Sequence, residues 1–263
     1  MALTEKLTWD ADGFTLAGHR YRLQQPGRPA TADDAFVFYK DRGQLEQFDR
    51  FFTATGLAPQ RVLELGIWDG GSAAFWVETL GLTRYAAIDL QTRGDSAYFR
   101  AWQAARSPEV ASTHWGVSQT DAAALTEIID RRCLRPLDLI LDDCSHHYGP
   151  TLRSFELLFP ALQPGGYYVI EDWAWALQPE FQRRDHPWSR FAGLHPITHR
   201  LLDLHGSRPD VVASVLVFPD FIALERGPAE FGELDVAALT AHRPGGVSRA
   251  ARRRLRRLRH PRG

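Results

Sequence analysis

The sequence predicts an α/β fold, in which a mostly parallel sheet of seven strands carries helices on both faces. Short apolar runs such as Arg61–Leu65 and Asp138–Asp143 alternate with longer segments whose apolar residues recur at helical spacing. A glycine-rich turn, Gly66–Ser72, follows the first of these runs and leads into a helix. Near the C-terminus, Val211–Phe218 and Phe221–Glu225 predict an antiparallel hairpin that closes the sheet.

Length and composition agree with a globular protein of this kind. The 263 residues are 44% hydrophobic and 24% charged, which is ordinary for a protein with a packed core. No apolar run reaches the roughly eighteen residues of a membrane helix, and the N-terminus lacks the pattern of a secretion signal. Cys133 and Cys144 provide neither a four-cysteine zinc site nor a disulfide framework. We therefore expect a cytoplasmic protein without a membrane span.

The N-terminal segment is predicted to be a small flap that precedes the main domain. Leu7–Trp9 and Phe14–Leu16 alternate polar and apolar residues around Asp12, which predicts a β-hairpin with a type I′ turn. An aromatic segment, Phe36–Tyr39, then leads into a helix that ends near Gly56.

The Gly66–Ser72 turn has the features of a nucleoside-binding site. Glycine allows the backbone to approach a ligand closely, and a helix N-terminus follows directly. The next strand, Arg84–Asp89, ends in an acid about twenty residues farther on, where a carboxylate can accept hydrogen bonds from ribose hydroxyls. Glu64, before the first glycine, would repel a pyrophosphate but suits a cationic, amine-bearing ligand. The sequence therefore favours S-adenosylmethionine (SAM) over NAD.

The following strand, Ser112–Val117, brings more residues to the same edge of the sheet. Asp121 or Thr120 is suited to cap the helix Ala122–Arg132, and Ser118 and Gln119 precede it. We expect Ser118 and Gln119 to contact the adenine of the cofactor.

Two further predicted strands, Asp138–Asp143 and Tyr167–Glu171, lead into pairs of acids. These acids are Asp142, Asp143, Glu171 and Asp172. If the strands are neighbours, the negative charges share one crevice, which requires either raised pKa values or a bound cation. Oxygen ligands favour Mg²⁺, Mn²⁺ or Ca²⁺ over zinc. His146, three residues after Asp143, is then placed to act as a general base beside the metal.

The chain divides into three predicted regions. Residues 1–56 form the flap, residues 57–228 the SAM-binding catalytic domain with an aromatic-rich insertion at 173–210, and residues 229–263 an arginine-rich tail. Eight arginines fall in the last sixteen residues. Such a tail either attracts nucleic acid, anionic lipid or an anionic substrate, or packs on the body as a partly helical terminus.

The segments Asp142–His146 and Pro164–Asp172 resemble class I SAM-dependent methyltransferases, whose fold is Rossmann-like. More narrowly, they resemble the metal-dependent sugar O-methyltransferases related to macrocin and mycinamicin O-methyltransferases, with the mycobacterial methylmannose polysaccharide methyltransferases as a second point of comparison. The resemblance extends roughly from Arg61 to Glu225. The family usually has glycine where Cys144 stands.

This resemblance implies roles for the motif residues. By motif position, Asp143 and Asp172 are similar to the family's metal ligands, with Glu171 as a further candidate, and His146 is similar to its catalytic base. The implied cofactor-binding residues are Glu64, Gly66, Asp89, Ser118, Gln119 and Asp142. A purely structural role at the strand end is the alternative for Asp142.

Four residues are expected to contact the substrate. Tyr39 and Lys40 lie where the family has segments that roof the active site. Trp173 and Trp175 follow the acids directly and are expected to pack against the apolar face of a sugar ring.

Together these inferences predict an enzyme that transfers a methyl group from SAM to a sugar hydroxyl of a saccharide or glycoside. Mg²⁺ or Mn²⁺ would chelate a vicinal diol, and His146 would act as the general base. One alternative is an O-methyltransferase of a catechol, phenol or other small natural product. Another is a nucleic-acid-binding protein that uses the tail, although the acidic crevice argues against nucleic acid in the active site. A homo-oligomer is left open.

Overall fold

The N-terminal segment forms a four-stranded sheet in the computed structural model, which describes residues 2–25, 34–91, 96–132 and 134–240. Its strands are β1 (Thr8–Trp9), β2 (Gly13–Leu16), β3 (His19–Leu23) and β4 (Phe36–Phe38). Strands β1, β2 and β3 pair antiparallel, whereas β4 lies parallel to β3. The predicted hairpin of β1 and β2 is confirmed, and β3 and β4 are additional strands.

The turn between β1 and β2 differs from the predicted type I′ turn. Neither Asp12 nor Gly13 has the positive φ that such a turn requires at its central residues. Instead, the Asp10 carboxylate accepts hydrogen bonds from the backbone N–H groups of Asp12 (2.8 Å) and Gly13 (3.0 Å). The type I′ prediction is wrong because the aspartate side chain fixes the turn without left-handed backbone.

Helix α1 (Arg42–Thr55) connects this small sheet to the rest of the protein. Asp41 forms a capping box at its first turn, and Gly56, with a φ of 65°, ends it in left-handed conformation. On its buried face, Phe48 stacks on Phe221 with 4.3 Å between the ring centroids. The N-terminal segment therefore shares an apolar cluster with one face of the main sheet.

A sheet of seven strands forms the centre of the fold. Its strands are β5 (Arg61–Leu65), β6 (Arg84–Asp89), β7 (Ala111–Trp115), β8 (Leu137–Asp142), β9 (Leu162–Glu171), β10 (Val212–Val217) and β11 (Phe221–Arg226). Their order is β10-β11-β9-β8-β5-β6-β7, and β11 runs in the direction opposite to the other six strands, since it pairs antiparallel with both β10 and β9. The predicted mostly parallel sheet with a closing hairpin is confirmed. The strand order reverses beside β5, which opens a crevice at the carboxyl ends of β5 and β8.

Helices cover both faces of this sheet. They are α2 (Gly71–Leu80), α3 (Ala97–Ala104), α4 (Ala122–Arg131), α5 (Tyr148–Leu158), α6 (His195–Ser207) and α7 (Val236–Leu239). One apolar cluster joins α1, α2 and α3 to one face, and a second joins α4, α5 and α6 to the other. Helix α6 lies in the aromatic insertion and is an addition to the predicted elements. Its buried residues Ile197, Leu201 and Leu204 recur at helical spacing, so the sequence does contain the signal.

Within the described part of the chain, no helix is both long enough and apolar enough to cross a membrane. Val236 of α7 packs into the second apolar cluster, so the first residues of the predicted tail belong to the folded body. The arginines of the tail and Cys133 lie outside the described residues. The prediction of a binding role for the tail stays a prediction.

Candidate active site

A cavity of about 600 Å³ lies at the carboxyl ends of the parallel strands. Its wall combines the glycine turn after β5, the loops after β6, β7 and β8, and the residues that follow β4. The residues predicted from the sequence that line it are Tyr39, Lys40, Gly66, Asp89, Ser118, Gln119, Asp143, His146 and Asp172. The predicted residues that are not part of the wall are Glu64, Asp142, Glu171, Trp173 and Trp175.

Gly66 brings two of these loops into direct contact. Its φ is 87°, a left-handed conformation that favours glycine. A Cβ at this position would collide with the backbone carbonyl of Asp143 in the loop after β8. The same junction is fixed by a 2.9 Å hydrogen bond from the Asp143 N–H to the Leu65 carbonyl. The glycine that the sequence pattern assigned to the ligand therefore also sets the distance between the glycine turn and the acidic loop.

Asp89, at the end of β6, fixes the glycine turn from the other side. One oxygen of its carboxylate accepts hydrogen bonds from the backbone N–H groups of Ile67 (3.1 Å) and Trp68 (2.9 Å). Its other oxygen accepts one from Gln91 (2.8 Å). A carboxylate has about four acceptor positions, so Asp89 retains capacity to bind a hydroxyl group in the cavity.

Glu64 is fully buried beneath the cavity. The Tyr85 hydroxyl donates a hydrogen bond to its carboxylate. Burial raises the pKa of Glu64 to about 7, although the Lys40 ammonium and the Tyr85 hydrogen bond act in the opposite direction. The carboxyl group of Glu64 therefore changes its protonation state near neutral pH. It lies below the cavity wall and is not part of the wall.

Asp142 belongs to a buried hydrogen-bond network that includes Gln119, one of the two residues predicted to contact adenine. Its carboxylate accepts hydrogen bonds from the hydroxyls of Tyr168 and Ser154, each at 2.7 Å, and from the Gln119 amide at 3.4 Å. Gln119 in turn accepts a 3.2 Å hydrogen bond from the Ser145 N–H. Burial raises the pKa of Asp142 to about 6. The structure thus places Asp142 where it orients Gln119, in accordance with its alternative structural role.

Asp143, His146 and Asp172 form a compact cluster on the wall of the cavity. One ligand atom from each lies within 4.8 Å of the others. Nε2 of His146 is 3.7 Å from Oδ1 of Asp143 and 3.8 Å from Oδ2 of Asp172, distances too long for hydrogen bonds. Two carboxylate oxygens that lie close together, with no hydrogen-bond donor between them, form a ligand set that suits a divalent cation. The predicted metal residues Asp143 and Asp172 therefore fit such an ion, with His146 beside them.

Glu171 stands outside this cluster and forms a buried ion pair. Its Oε2 accepts a 2.7 Å hydrogen bond from Nζ of Lys40, which also donates to Oδ2 of Asp143 at 2.7 Å. Burial and the charge of Asp143 raise the pKa of Glu171. Burial lowers the pKa of Lys40, but the attraction of the surrounding carboxylates outweighs it, and the net pKa lies above its ordinary value. The family resemblance predicted Lys40 as a residue that covers the active site, but the sequence did not reveal its ion pair with Glu171.

The two tryptophans expected to face a sugar have other contacts. The Trp173 indole donates a 2.9 Å hydrogen bond to the Phe218 carbonyl. Trp175 is only 4% exposed, and its indole donates a 2.8 Å hydrogen bond to the carbonyl of His146. A buried indole N–H needs such an acceptor, so both rings are held behind the wall. The insertion instead contributes Trp188 to the cavity, with its ring centroid 6.3 Å from that of His146.

Two exposed aromatic residues mark the other side of the cavity. Tyr39 is 48% exposed and Trp68 is 38% exposed, and their ring centroids lie 5.6 Å apart. Trp68 is a cavity residue that the sequence reasoning missed, although it stands inside the glycine turn that was singled out.

Comparisons with known proteins agree with this architecture. Residues 63–173 match the family Methyltransf_24, described as a methyltransferase domain. The chain is 33% identical over 141 residues to the demethylmacrocin O-methyltransferase of Streptomyces fradiae. It is 32% identical over 145 residues to the mycinamicin VI 2''-O-methyltransferase of Micromonospora griseorubida. Each alignment covers 51% of this chain, and the chain spans only about a third (32%) of the length of either relative.

A solved structure shows the same relationship. The MycE methyltransferase from the mycinamycin biosynthetic pathway, in complex with Mg, SAH and mycinamycin VI, superposes with a TM-score of 0.53 at 27% identity. That superposition covers 72% of this chain and 51% of the MycE chain. The resemblance inferred from Asp142–His146 and Pro164–Asp172 is thereby confirmed. Residues 63–173 thus match a methyltransferase domain, the fold is the Rossmann-like fold of class I methyltransferases, and the chain is similar to macrocin and mycinamicin O-methyltransferases.

Proposed function

We propose that this protein is a SAM- and Mg²⁺-dependent O-methyltransferase that methylates a sugar hydroxyl of a saccharide or a glycosylated natural product. The observation that carries the proposal is that one cavity contains both halves of such a site. The glycine turn and Asp89 lie on its cofactor side, and the Asp143–His146–Asp172 cluster lies on its acceptor side. The similarity to a demethylmacrocin O-methyltransferase and to a mycinamicin VI 2''-O-methyltransferase supports the same class of acceptor.

The cofactor side is organised to hold a nucleoside. Asp89 has acceptor capacity for ribose hydroxyls, and Ser118 and Gln119 line the part of the wall assigned to adenine. Gly66 keeps the backbone close to the ligand chain. Glu64 lies beneath this region, and its ionised form adds negative potential that suits a cationic ligand.

The acceptor side is organised to hold a metal ion and to remove a proton. Asp143 and Asp172 would hold the divalent cation, with Glu171 as a further ligand through the carboxylate oxygen that Lys40 does not bind. The cation would supply Lewis-acid chemistry that lowers the pKa of a sugar hydroxyl, and SAM would supply the methyl group. His146 would accept the hydroxyl proton at Nε2 as that oxygen is methylated.

The aromatic residues of the wall favour a ring-shaped acceptor with an apolar face. Tyr39 and Trp68 stand on one side of the cavity, and Trp188 stands beside His146 on the other. We assign the sugar-facing role to these three residues and not to Trp173 or Trp175. On this proposal the catalytic domain spans residues 57–228, and the N-terminal segment completes its wall.

The test is methyl transfer from radiolabelled SAM to a panel of rhamnosides, mannosides, other glycosides and phenols. We expect transfer to a glycoside, loss of transfer in EDTA and recovery with Mg²⁺, because the acceptor hydroxyl needs the cation to become nucleophilic. Asp143→Asn and Asp172→Asn should lose at least 100-fold in activity, whereas Glu127→Gln, an exposed acid on α4, is the matched control and should lose none.

The same assay distinguishes the role proposed for His146 from the role proposed for the metal ligands. His146→Ala should lower the rate by roughly 10²–10⁴-fold while Mn²⁺ still binds, since the histidine is assigned to the proton and not to the ion. Transfer to glycosides that resists EDTA would overturn the metal role. Transfer to phenols alone, with most activity retained in His146→Ala, would replace the sugar assignment with the phenol alternative.

A further inference from the structure

Lys40 is a buried cation at the centre of the acidic crevice. It lies between β4 and the N-cap of α1, and only 4% of it is exposed. It is one of two lysines in the chain, the other being Lys6. A lysine is almost never fully buried unless its charge is paired, so its partners define what it does.

Lys40 binds one oxygen of each of two carboxylates, which lie at the ends of neighbouring strands. Its Nζ lies 2.7 Å from Oδ2 of Asp143, after β8, and 2.7 Å from Oε2 of Glu171, at the end of β9. Lys40 does not bind the second oxygen of either acid. Oδ1 of Asp143 faces the imidazole of His146 at 3.7 Å. Oε1 of Glu171 is buried and has no hydrogen-bond partner among the described residues.

We propose that Lys40 is a positioning residue of the metal site, which holds Asp143 and Glu171 by one oxygen each and thereby presents their other oxygens to a divalent cation. The inference rests on the proposed function, because it specifies how the same crevice binds its metal. It goes beyond the assignment of ligands, because it states that Lys40, a residue of the N-terminal segment that does not itself bind the metal, sets their orientation. Groups that orient metal ligands in this way typically change metal affinity by roughly 10- to 100-fold when they are removed.

The formal charges of the three acids and of Lys40 agree with a divalent ion. Asp143, Glu171 and Asp172 contribute three negative charges when ionised, and Lys40 contributes one positive charge, which leaves a formal charge of minus two. One divalent cation balances that charge. Without the lysine, the buried carboxylate of Glu171 and the partly buried carboxylate of Asp143 would lose the cation that they share, which is a costly arrangement.

The experiment measures Mn²⁺ binding by isothermal titration calorimetry and by the electron paramagnetic resonance signal of free Mn²⁺. We expect Lys40→Met to raise the Kd for Mn²⁺ at least tenfold relative to the wild-type protein. Lys6→Met is the matched control, since the Lys6 ammonium donates to the Thr79 carbonyl away from the cavity, and it should leave the Kd unchanged. A Lys40→Met protein that binds Mn²⁺ as tightly as wild type, or more tightly, would show that Lys40 is indifferent to the metal or competes with it.

A second variant covers the case in which Lys40→Met fails to fold. Lys40→Met combined with Glu171→Gln removes the ammonium together with the charge of its buried partner, so no unpaired buried charge remains. Thermal unfolding should show that this protein is folded, and its Kd for Mn²⁺ should be at least tenfold higher than that of Glu171→Gln alone, which loses the same carboxylate but keeps the lysine. Equal affinity in the double variant and in Glu171→Gln alone would overturn the proposal.

These results are distinct from a failure of the proposed function. Mn²⁺ affinity that is equal in wild type and Lys40→Met overturns the positioning role and leaves the proposed methyl transfer uncontradicted. A higher Kd for Mn²⁺ in Lys40→Met than in wild type supports the positioning role even where no acceptor of the panel is methylated. A wild-type protein that binds no Mn²⁺ contradicts both.

Discussion

Three residues of the cavity hold a backbone conformation that side chains with a Cβ disfavour. Trp68, His146 and Asp172 have φ values of 51°, 52° and 53°. The left-handed region costs roughly 1–2 kcal/mol for such residues, so the surrounding structure must stabilise it. The Trp68 N–H is held by Asp89, and the Asp172 N–H donates to the Asp220 carbonyl at 2.7 Å. Strain concentrated at one cavity supports its assignment as the functional site.

The first prediction concerns Gly66. In Gly66→Ala, the new methyl group must displace the loop that carries Asp143, and the left-handed backbone adds a cost of its own. We expect a loss of at least 3 kcal/mol in the free energy of unfolding, on the order of the cost of overpacking plus left-handed strain, together with loss of SAH binding.

The matched control is Gly81→Ala. Gly81 has a similar φ of 63°, but nothing lies within 4 Å of the position of its Cβ. That variant should lose only about 1–2 kcal/mol and keep SAH binding. Urea denaturation and calorimetry measure both quantities, and equal losses in the two variants would refute the role given to the contact between the loops.

At the scale of elements, the loop between β8 and α5 is held from three directions. Gly66 of the glycine turn packs against it, Gln119 accepts from Ser145, and Trp175 of the insertion donates to His146. The ring of Trp175 in turn packs edge-to-face on Trp188, with 5.1 Å between centroids. The aromatic insertion therefore supports the backbone of His146 and also forms part of the cavity wall.

The second prediction follows from this support. Trp175→Phe retains most of the packing but removes the N–H that binds the His146 carbonyl. We expect kcat to fall roughly 10- to 100-fold, as displacement of a catalytic group by about 1 Å does, with little change in the KM for SAM. The pH profile of kcat should change as well, because the environment of the imidazole changes.

Trp173→Phe provides the comparison for Trp175→Phe. It removes an indole hydrogen bond of similar length, 2.9 Å, but to the Phe218 carbonyl outside the cavity wall. Its effect should appear mainly as a loss of about 1 kcal/mol in stability. If Trp173→Phe lowers kcat as much as Trp175→Phe, the two residues act through general packing and the specific support of His146 is wrong.

At the scale of the whole molecule, the N-terminal segment is part of the core and of the site. Phe38 packs on Phe75 of α2 with 4.9 Å between ring centroids, and Phe48 stacks on Phe221. Tyr39 and Lys40 line the cavity. One continuous apolar cluster thus joins the small sheet, α1 and the main sheet.

The third prediction is that a chain of residues 57–263 does not fold on its own. Loss of one buried phenylalanine typically costs about 3–5 kcal/mol, and the segment contributes several to a protein whose total stability is expected to be about 5–15 kcal/mol. Circular dichroism should show no cooperative thermal transition for this fragment, in contrast to the full chain. A fragment that unfolds cooperatively and binds SAH would restore the description of residues 1–56 as a separate flap.

Local patterns in the sequence were sufficient for the sheet and for several residues that line the cavity. Apolar runs with turn residues between them marked the strands, and acids placed after β8 and β9 meet in space because parallel strands end at one edge. Gly66, Asp89, Asp143, His146 and Asp172 could be found in this way, since each stands at a fixed offset from a strand end. Helix α6 was missed although its period was present.

Only the tertiary structure decided which side chains share a contact across distant segments. Lys40 is 103 residues from Asp143 and 131 from Glu171, and no spacing rule relates them. The same holds for the support of His146 by Trp175, and for Trp188 as the aromatic wall in place of Trp173 and Trp175. Periodicity reports the face on which a residue lies, whereas the partner of a buried charge or an indole N–H depends on how the elements pack.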